Sequence, residues 1–356
     1  MSFKNLLLLT LCASVLPATG FAKELKELYR GARAQALGNA YVAVSDDDEA
    51  IFYNPAGLAG QKKYSINYMA LNLEGSTDIM SMFSEGSALR NMSGDSLNIM
   101  MGKNIFGHAQ FAPSLTMSNF GAAILVDEQL SVRAENKAMP QVVLGYQQTN
   151  GFQVGWGTAL GGGRRASNGE FRVGLGAKLM WRRGGYRLLD LAQLISVSRN
   201  TLHEIAGNYK QGYGFDMGLQ YVRKVNSRLE LRWGGAWTDI GSTDFGDGPD
   251  PQPSTMTTGV AAVYRFANFS GTFSYDLRHL NEPVDWKMKN HVGVELGMPM
   301  IRVYAGYNQA FLTYGLGFDA WLMKVMAVHY TEEQGSYATM DPERRYLLQI
   351  ALKVGI

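Results

Sequence analysis

A chain of 356 residues with 33 Lys and Arg against 31 Asp and Glu carries a formal net charge of +2, too small a field for a nucleic-acid binder. Charged residues make up 18%, while aromatics reach 11% and Gly 41 residues. That mixture suits strands with bulky outward side chains and small ones that let backbones approach.

Residues 1–22 read as a secretory signal peptide: Lys4, then a short apolar core from Leu6 to Leu16, then small residues ending at Ala22. The only cysteine, Cys12, falls inside it, so the exported chain is expected to have no disulfide and no thiolate metal site. After the signal, no apolar run reaches the roughly 18 residues of a spanning helix. A membrane-crossing form of this chain therefore has to be a β-barrel, the other fold that satisfies its own backbone.

Residues 23–63 have no strand period and are read as one N-terminal segment. Glu24 to Tyr29 is compatible with a short helix, since Leu25 and Leu28 share a face. Gly31 to Ala59 is rich in small residues and ends in Asn54-Pro55-Ala56-Gly57, a turn-forming run. The acidic run Asp46-Asp47-Asp48-Glu49 lacks the glycine and distal glutamate of a calcium loop. It reads as an acidic turn before Ala50.

From Tyr64 the period becomes two, and residues 64–356 read as a single barrel. Tyr64 to Leu73, Asp95 to Asn104, His108 to Met117 and Gly121 to Arg133 are the first strands. The last of these is either two short strands or one bent one. Thr77 to Met92 is Met- and Ser-rich and reads as a short helix or inward loop. Pro140 to Gln147, Phe152 to Leu160 and Phe171 to Trp181 alternate clearly, and 184–211 reads as a loop with a helical piece. Tyr213 to Tyr221, Leu229 to Trp237, Val260 to Phe266, Phe269 to Tyr275, His291 to Met298, Arg302 to Asn308, Tyr314 to Asp319, Lys324 to Thr331 and Tyr346 to Val354 continue the pattern. The loop 241–254 carries three prolines, Pro249, Pro251 and Pro253, and is irregular.

Alternation alone also fits a soluble sandwich. Strands of about ten residues, apolar faces that end in Trp or Tyr, and short turns alternating with long loops favour a transmembrane antiparallel barrel of about fourteen strands. Arg172, Lys178, Asp216, Glu230, Arg232, His291, Glu295 and Arg302 occupy the polar faces. A charge facing lipid costs a few kcal/mol, so these residues are expected in the lumen.

The stretch from Gly31 to Val44, followed by the acidic run and Ala50-Ile51-Phe52-Tyr53-Asn54-Pro55-Ala56-Gly57-Leu58-Ala59, resembles the N-terminal plug of the FadL/TodX superfamily. That superfamily comprises outer-membrane transporters of hydrophobic compounds and includes PorV-like and TraF-like barrels. The resemblance implies an all-β, fourteen-stranded barrel with the N-terminal segment folded into the lumen as a hatch. It also implies uptake of small hydrophobic molecules, fatty-acid-like or aromatic, that leave sideways through the wall. The alternative is a PorV-like barrel serving protein export or surface attachment. Location in a Gram-negative-type outer membrane follows in either case. The partners implied are outer-membrane lipid, a hydrophobic ligand and a protein at the outer mouth; nucleic acid is not among them.

Asn54, Pro55 and Gly57 are the expected hatch residues, Asn and Gly for unusual backbone angles and Pro for stiffness. Met80, Met82 and Phe83 are the expected ligand-binding residues, because Met adapts to varied apolar shapes. No enzyme is expected and no cofactor or metal is called for. His203-Glu204 lacks a second histidine four residues on, Asp244-Phe245-Gly246 stands without the other kinase motifs, and Gly161-Gly162-Gly163-Arg164-Arg165 lacks the Lys-Ser/Thr of a phosphate loop.

Overall fold

A computed structural model of the chain describes residues 24–61, 64–79, 102–135, 141–160, 169–190 and 204–355. The N-terminal segment holds two short helices, α1 (Ala32–Ala36) and α2 (Ala50–Tyr53), and a 3-10 helix, Pro55–Gly60. The strands follow as β1 (Ser65–Ser76), β2 (Asn104–Phe111), β3 (Ser114–Met117), β4 (Phe120–Glu135), β5 (Gln141–Leu160), β6 (Gly169–Asp190), β7 (Lys210–Lys224) and β8 (Leu229–Thr238). β9 (Thr255–Phe266), β10 (Phe269–Leu277), β11 (Asn290–Gly297), β12 (Ile301–Asn308), β13 (Phe311–Ala320), β14 (Met323–Glu333) and β15 (Pro342–Gly355) complete the wall.

Each strand pairs antiparallel with its sequence neighbours, and β15 returns to β1 with Ser65 opposite Gly355. β2 and β3 both pair with β1 on one side and β4 on the other, end to end. They are one stave broken at Ala112 and Pro113, so the fifteen strands make a closed barrel of fourteen staves. Closure leaves no unpaired edge, as a bilayer demands.

The two faces separate as a membrane wall requires. On β7, Tyr213 and Phe215 point outward and are 64% and 60% exposed, while Asp216, on the inward register of the same strand, is 2% exposed. The same contrast holds for Leu296 against Glu295 on β11 and Leu316 against Gly315 on β13. Apolar outside and charged inside is the pattern of an outer-membrane barrel. Tight turns at 118–119, 225–228, 267–268, 298–300 and 321–322 lie on one rim, and the longer connections 239–254, 278–289 and 334–341 lie on the other. By the usual orientation of such barrels the long-loop rim faces outward.

The structure corrects the sequence reading in five places. Residues 24–31 are not helical; Glu24, Lys26 and Glu27 are instead spread onto basic and acidic partners of the wall and its loops. Pro140 to Gln147 and Phe152 to Leu160 are not two strands. They are the two ends of β5, because Thr149-Asn150-Gly151 stays in the ladder opposite both β4 and β6. β6 runs on to Asp190, past the break expected at 184, since Gly184 to Asp190 keep pairing with Gln141 to Gln147. His108 to Met117 is not one strand but the end of β2 and all of β3, while Gly121 to Arg133, for which one strand and two both fit the sequence, belongs to one strand, β4. The helical piece expected around Leu188 to Leu194 begins as strand, since Leu188 to Asp190 belong to β6; its remainder, most of the expected 95–104 strand, Cys12, Met80, Met82 and Phe83 lie outside the described residues.

Candidate functional site

Residues 24–61 are almost wholly buried, and their partners are the inward side chains of strands around the wall. The segment starts at the long-loop rim. Glu24 accepts from Arg345 at 2.7 Å and also pairs with Arg30. Arg30 reaches Glu74 at 3.3 Å, and Glu74 in turn meets Arg345 at 3.2 Å and His108 at 3.0 Å. The other ring nitrogen of His108 lies 2.6 Å from Asp127.

α1 follows. Its sequence Ala-Arg-Ala-Gln-Ala lets the helix lie close to β12–β15, where Thr313 Oγ1 donates to the Gln35 and Ala36 carbonyls at 3.1 and 3.2 Å. Gly38 and Asn39 end it with φ of 62° and 66°. A Cβ at Gly38 would sit 2.6 Å from the Tyr307 and Val292 backbone, so only glycine fits that position. Beyond it, the amides of Tyr41 and Val42 donate to one carboxylate oxygen of Asp276 at 2.6 and 2.7 Å.

The acidic run is absorbed by cations. Arg33 meets Asp46 and Asp47 at 3.0 Å and Glu295 at 2.9 Å. Arg232 meets Asp46 at 2.8 Å, and Lys353 meets Asp48 at 2.8 Å. Burial works against ionisation of Asp46, but Arg33 and Arg232 outweigh it and hold the carboxyl well below its usual range. Asp48 is likewise held down at about 2: burial opposes it, and Lys353 and Lys324 prevail. Glu49 differs. Its Oε1 accepts from Tyr29 at 3.3 Å and Gln349 at 3.2 Å, its Oε2 is buried without a partner, and burial with the nearby Asp47 charge pushes it up to about 7.

The expected hatch residues are brought together, but by a different mechanism. Asn54 is extended, with φ −155°, and Gly57 does not take a left-handed φ. Asn54 acts through its side chain. The amide Nδ2 donates to the Val42 and Leu219 carbonyls at 2.9 and 3.1 Å, and Oδ1 accepts from Ala56 N at 3.2 Å, capping the 3-10 helix. Pro55 occupies the first position of that helix, where its missing N–H is harmless. At Gly57 the constraint is space: a Cβ would lie 2.0 Å from the Ser45 carbonyl.

Sequence reasoning missed the wall side of this fit. Inward glycines receive plug backbone directly. A Cβ at Gly174 would lie 2.3 Å from Ala56 N, at Gly218 2.1 Å from Asn54 Oδ1, at Gly234 2.5 Å from Val42 O, and at Gly293 2.5 Å from Leu37 O. The available signal was glycine recurring on the polar register of strand after strand.

The remaining feature is an apolar seam. Tyr29 stacks on Phe52 with ring centroids 4.0 Å apart, and both join Ile51 in a buried cluster with Ala112, Ala123 and Leu125 of the wall. Ala112 lies in the break itself, and Ala123 and Leu125 lie beside it on β4. Pro113 has no N–H to donate there. Ala112 N donates to Ala70 O at 2.9 Å and Ile124 N to Pro113 O at 3.0 Å, outside the regular ladders, and the β1–β15 register slips between Asn67 and Met69. Below the plug, at the short-turn rim, lies a charged cavity of about 600 Å³ bordered by Arg33, Asp46, Arg232 and Arg302.

No family model matches this sequence, and no curated protein matches it. Solved structures do. The toluene transporter TodX of P. putida aligns with 93% of this chain and 98% of its own, at 12% identity and a TM-score of 0.46. The monoaromatic hydrocarbon channel CymD covers 95% and 99% at 10% identity and 0.45. The toluene transporter TbuX of Ralstonia pickettii covers 92% and 98% at 12% and 0.46. The likeness is one of fold.

Proposed function

We propose that the protein is an outer-membrane channel for small hydrophobic molecules, with residues 24–61 as its hatch and the break at Ala112–Pro113 as its sideways exit. The observation that carries this reading is the seam from Tyr29, Ile51 and Phe52 of the plug to Ala112, Ala123 and Leu125 beside the broken stave. An apolar solute gains nothing from a water-filled lumen and gains free energy from a route that ends in hydrocarbon. A stave whose ladder is already interrupted is the part of the wall that opens at least cost in backbone hydrogen bonds. In this reading Asn54, Pro55 and Gly57 fix the hatch, and Met80, Met82 and Phe83 contribute to ligand capture.

The test is uptake of labelled monoaromatic hydrocarbons and alkyl acids by cells that lack their own outer-membrane route and express this chain. Pro113→Val restores a ladder donor at the break. It is expected to cut uptake about tenfold while leaving the barrel folded. Undiminished uptake in that variant would remove the exit from Ala112–Pro113.

A second reading, a barrel that serves an export or surface-attachment system, is favoured by one observation. The plug backbone is pressed against inward glycines, and the cavity beside it is lined with charge. A filled lumen suits a docking platform. Uptake no greater than in cells without the chain, together with capture of a specific protein by the long-loop rim, would favour that reading over the channel.

A further inference from the structure

The plug is not held evenly, and the unevenness singles out a moving part. Two stretches of it have their backbone set into the wall. In the first, 37–43, Leu37 and Gly38 lie against Gly293 and Gly306, and Val42 and Ala43 lie against Gly234. In the second, 54–59, Asn54 to Ala56 lie against Gly174 and Gly218, and Pro55 and Ala59 lie against Gly157. Backbone packed on backbone at those distances cannot slide without lifting off the wall.

Residues 24–36 have no such seat. Between the two stretches, the Ser45 carbonyl packs on Gly57, and residues 46–53 have no backbone seat. They contain the acidic run and α2. The wall touches them with side chains: Lys353 and Asn67 on Asp48, each at 2.8 Å, Gln349 on Glu49 at 3.2 Å, Arg232 on Asp46 at 2.8 Å, and Gln153 on the Ile51 carbonyl at 2.6 Å. Side-chain contacts of this kind break and re-form one at a time, whereas a backbone seat does not. This stretch also faces the break. Asp48 binds β15 and β1 on one side of it, and Ile51 and Phe52 share a buried apolar cluster with Ala112, Ala123 and Leu125 at the break.

We infer that residues 46–53 are the gate, swinging between fixed points at 45 and 54 while 37–45 and 54–59 stay seated, with Asp48 on Lys353 and Asn67 as its latch. This rests on the channel reading above and names the part that moves in it. Lifting this stretch uncovers the inner side of the broken stave. Moving α1 or the 3-10 helix would uncover intact strands.

Two measurements in a Cys12→Ser background test it. In single-cysteine proteins held in phospholipid vesicles, the rate of maleimide labelling is compared at Ala50→Cys and Ala36→Cys, both positions being fully buried. Position 50 is expected to label at least about tenfold faster. Equal rates, or faster labelling at 36, would overturn the gate whether or not the protein transports anything.

The second measurement is uptake after cross-linking with a short bifunctional maleimide. Joining Asp48→Cys to Asn67→Cys is expected to reduce uptake about tenfold, and joining Ala36→Cys to Thr313→Cys to leave it within about twofold. The reverse pattern overturns the gate and leaves the channel reading standing. No uptake by the unlinked parent overturns the channel reading, and the labelling ratio then decides the gate alone.

Discussion

The wall from β5 to β12 and the wall from β14 round to β4 hold the same plug in different ways. The first offers bare backbone at Gly157, Gly174, Gly218, Gly234, Gly293 and Gly306, together with polar side chains such as Gln153, Arg232 and Asp276. The second offers amides and charges: Asn67, Asn72, Gln110, Gln349 and Lys353. A glycine seat is strong because close packing leaves it no slack, and it is unforgiving for the same reason. A polar side-chain seat is weaker per contact and tolerates rearrangement, because each lost bond is replaced by water or a neighbour. One molecule therefore has a fixed side and a releasable side, and the broken stave lies on the releasable side.

The largest effect is expected where that comparison is most direct. Gly174→Ala puts a Cβ 2.3 Å from Ala56 N and the Pro55 carbonyl carbon, atoms that cannot rotate away. It should destabilise the seated plug by more than about 4 kcal/mol, or prevent its seating altogether. Asn72→Ala on the other side loses hydrogen bonds to the Arg30 carbonyl at 3.0 Å and to Gln110 at 3.3 Å, and one accepted from Gln349 at 3.0 Å. It should cost about 1–2 kcal/mol. Protease sensitivity of residues 24–61, followed through urea titration of the folded barrel, compares the two. Similar losses would mean that the two sides are not distinct.

Asn54→Ala comes next. The residue is fully buried, and the truncation orphans the Val42 carbonyl and the Ala56 amide and removes the link to the Leu219 carbonyl. About 3 kcal/mol is expected, because stranded buried groups carry their desolvation cost uncompensated. Asn54→Asp keeps the cap on Ala56 but turns a charged oxygen toward two carbonyl oxygens, so it should fail to rescue. Rescue by Asp would show that capping is the residue's main contribution and that the link to Leu219 on β7 is incidental.

How much of this was legible in the sequence follows from which signals are local. The wall was legible because a strand's period is written in consecutive residues: Tyr213, Phe215 and Met217 against Gly214, Asp216 and Gly218 settle a stave with no further information. Its breaks were harder to read. Thr149-Asn150-Gly151 looks like a turn and is a mid-strand run, because cross-strand pairing on both sides overrides local turn preference. Pro113 looks like an ordinary strand interruption, and its importance comes from neighbours on β1 and β4 that are distant in the chain. The plug was legible as a unit but not in its attachments. Nothing near Asp276 in sequence says that its carboxylate receives the amides of Tyr41 and Val42. Asn54 and Gly57 were read as backbone conformers, yet they matter through an amide side chain and an absent Cβ, which are properties of their three-dimensional surroundings.

An effect smaller than those of Gly174→Ala and Asn54→Ala concerns pH, and it bears on the releasable side. Glu49 sits there with one carboxylate oxygen unpartnered, and burial with the Asp47 charge beside it raises it to about 7 from a usual value of 4.5. Tyr29, Asp47, Asp48 and Lys324 also face it, so the carboxyl sits among charges of both signs. Because the folded value lies above the unfolded one, the folded chain keeps a proton that the unfolded chain has released. This group's contribution is therefore complete below about pH 4.5, falls as pH rises, and is gone above about 7. Glu24 and Asp48 run the other way. Each is held at about 2, so each favours the folded form above its usual carboxylate value and loses that contribution as the solution is acidified below it. The plug should accordingly be seated most firmly in mildly acidic solution. Between pH 5.5 and 7.5 its stability should fall by about 2 kcal/mol, and Glu49→Gln should flatten that limb while leaving the acid limb in place. Thiol labelling at position 50 across this pH range reads the effect on the gate, and position 36 serves as the reference. A wild-type profile that is flat from 5.5 to 7.5, or one that Glu49→Gln leaves unchanged, would assign the pH response to groups other than Glu49 and leave its buried oxygen without a role in release.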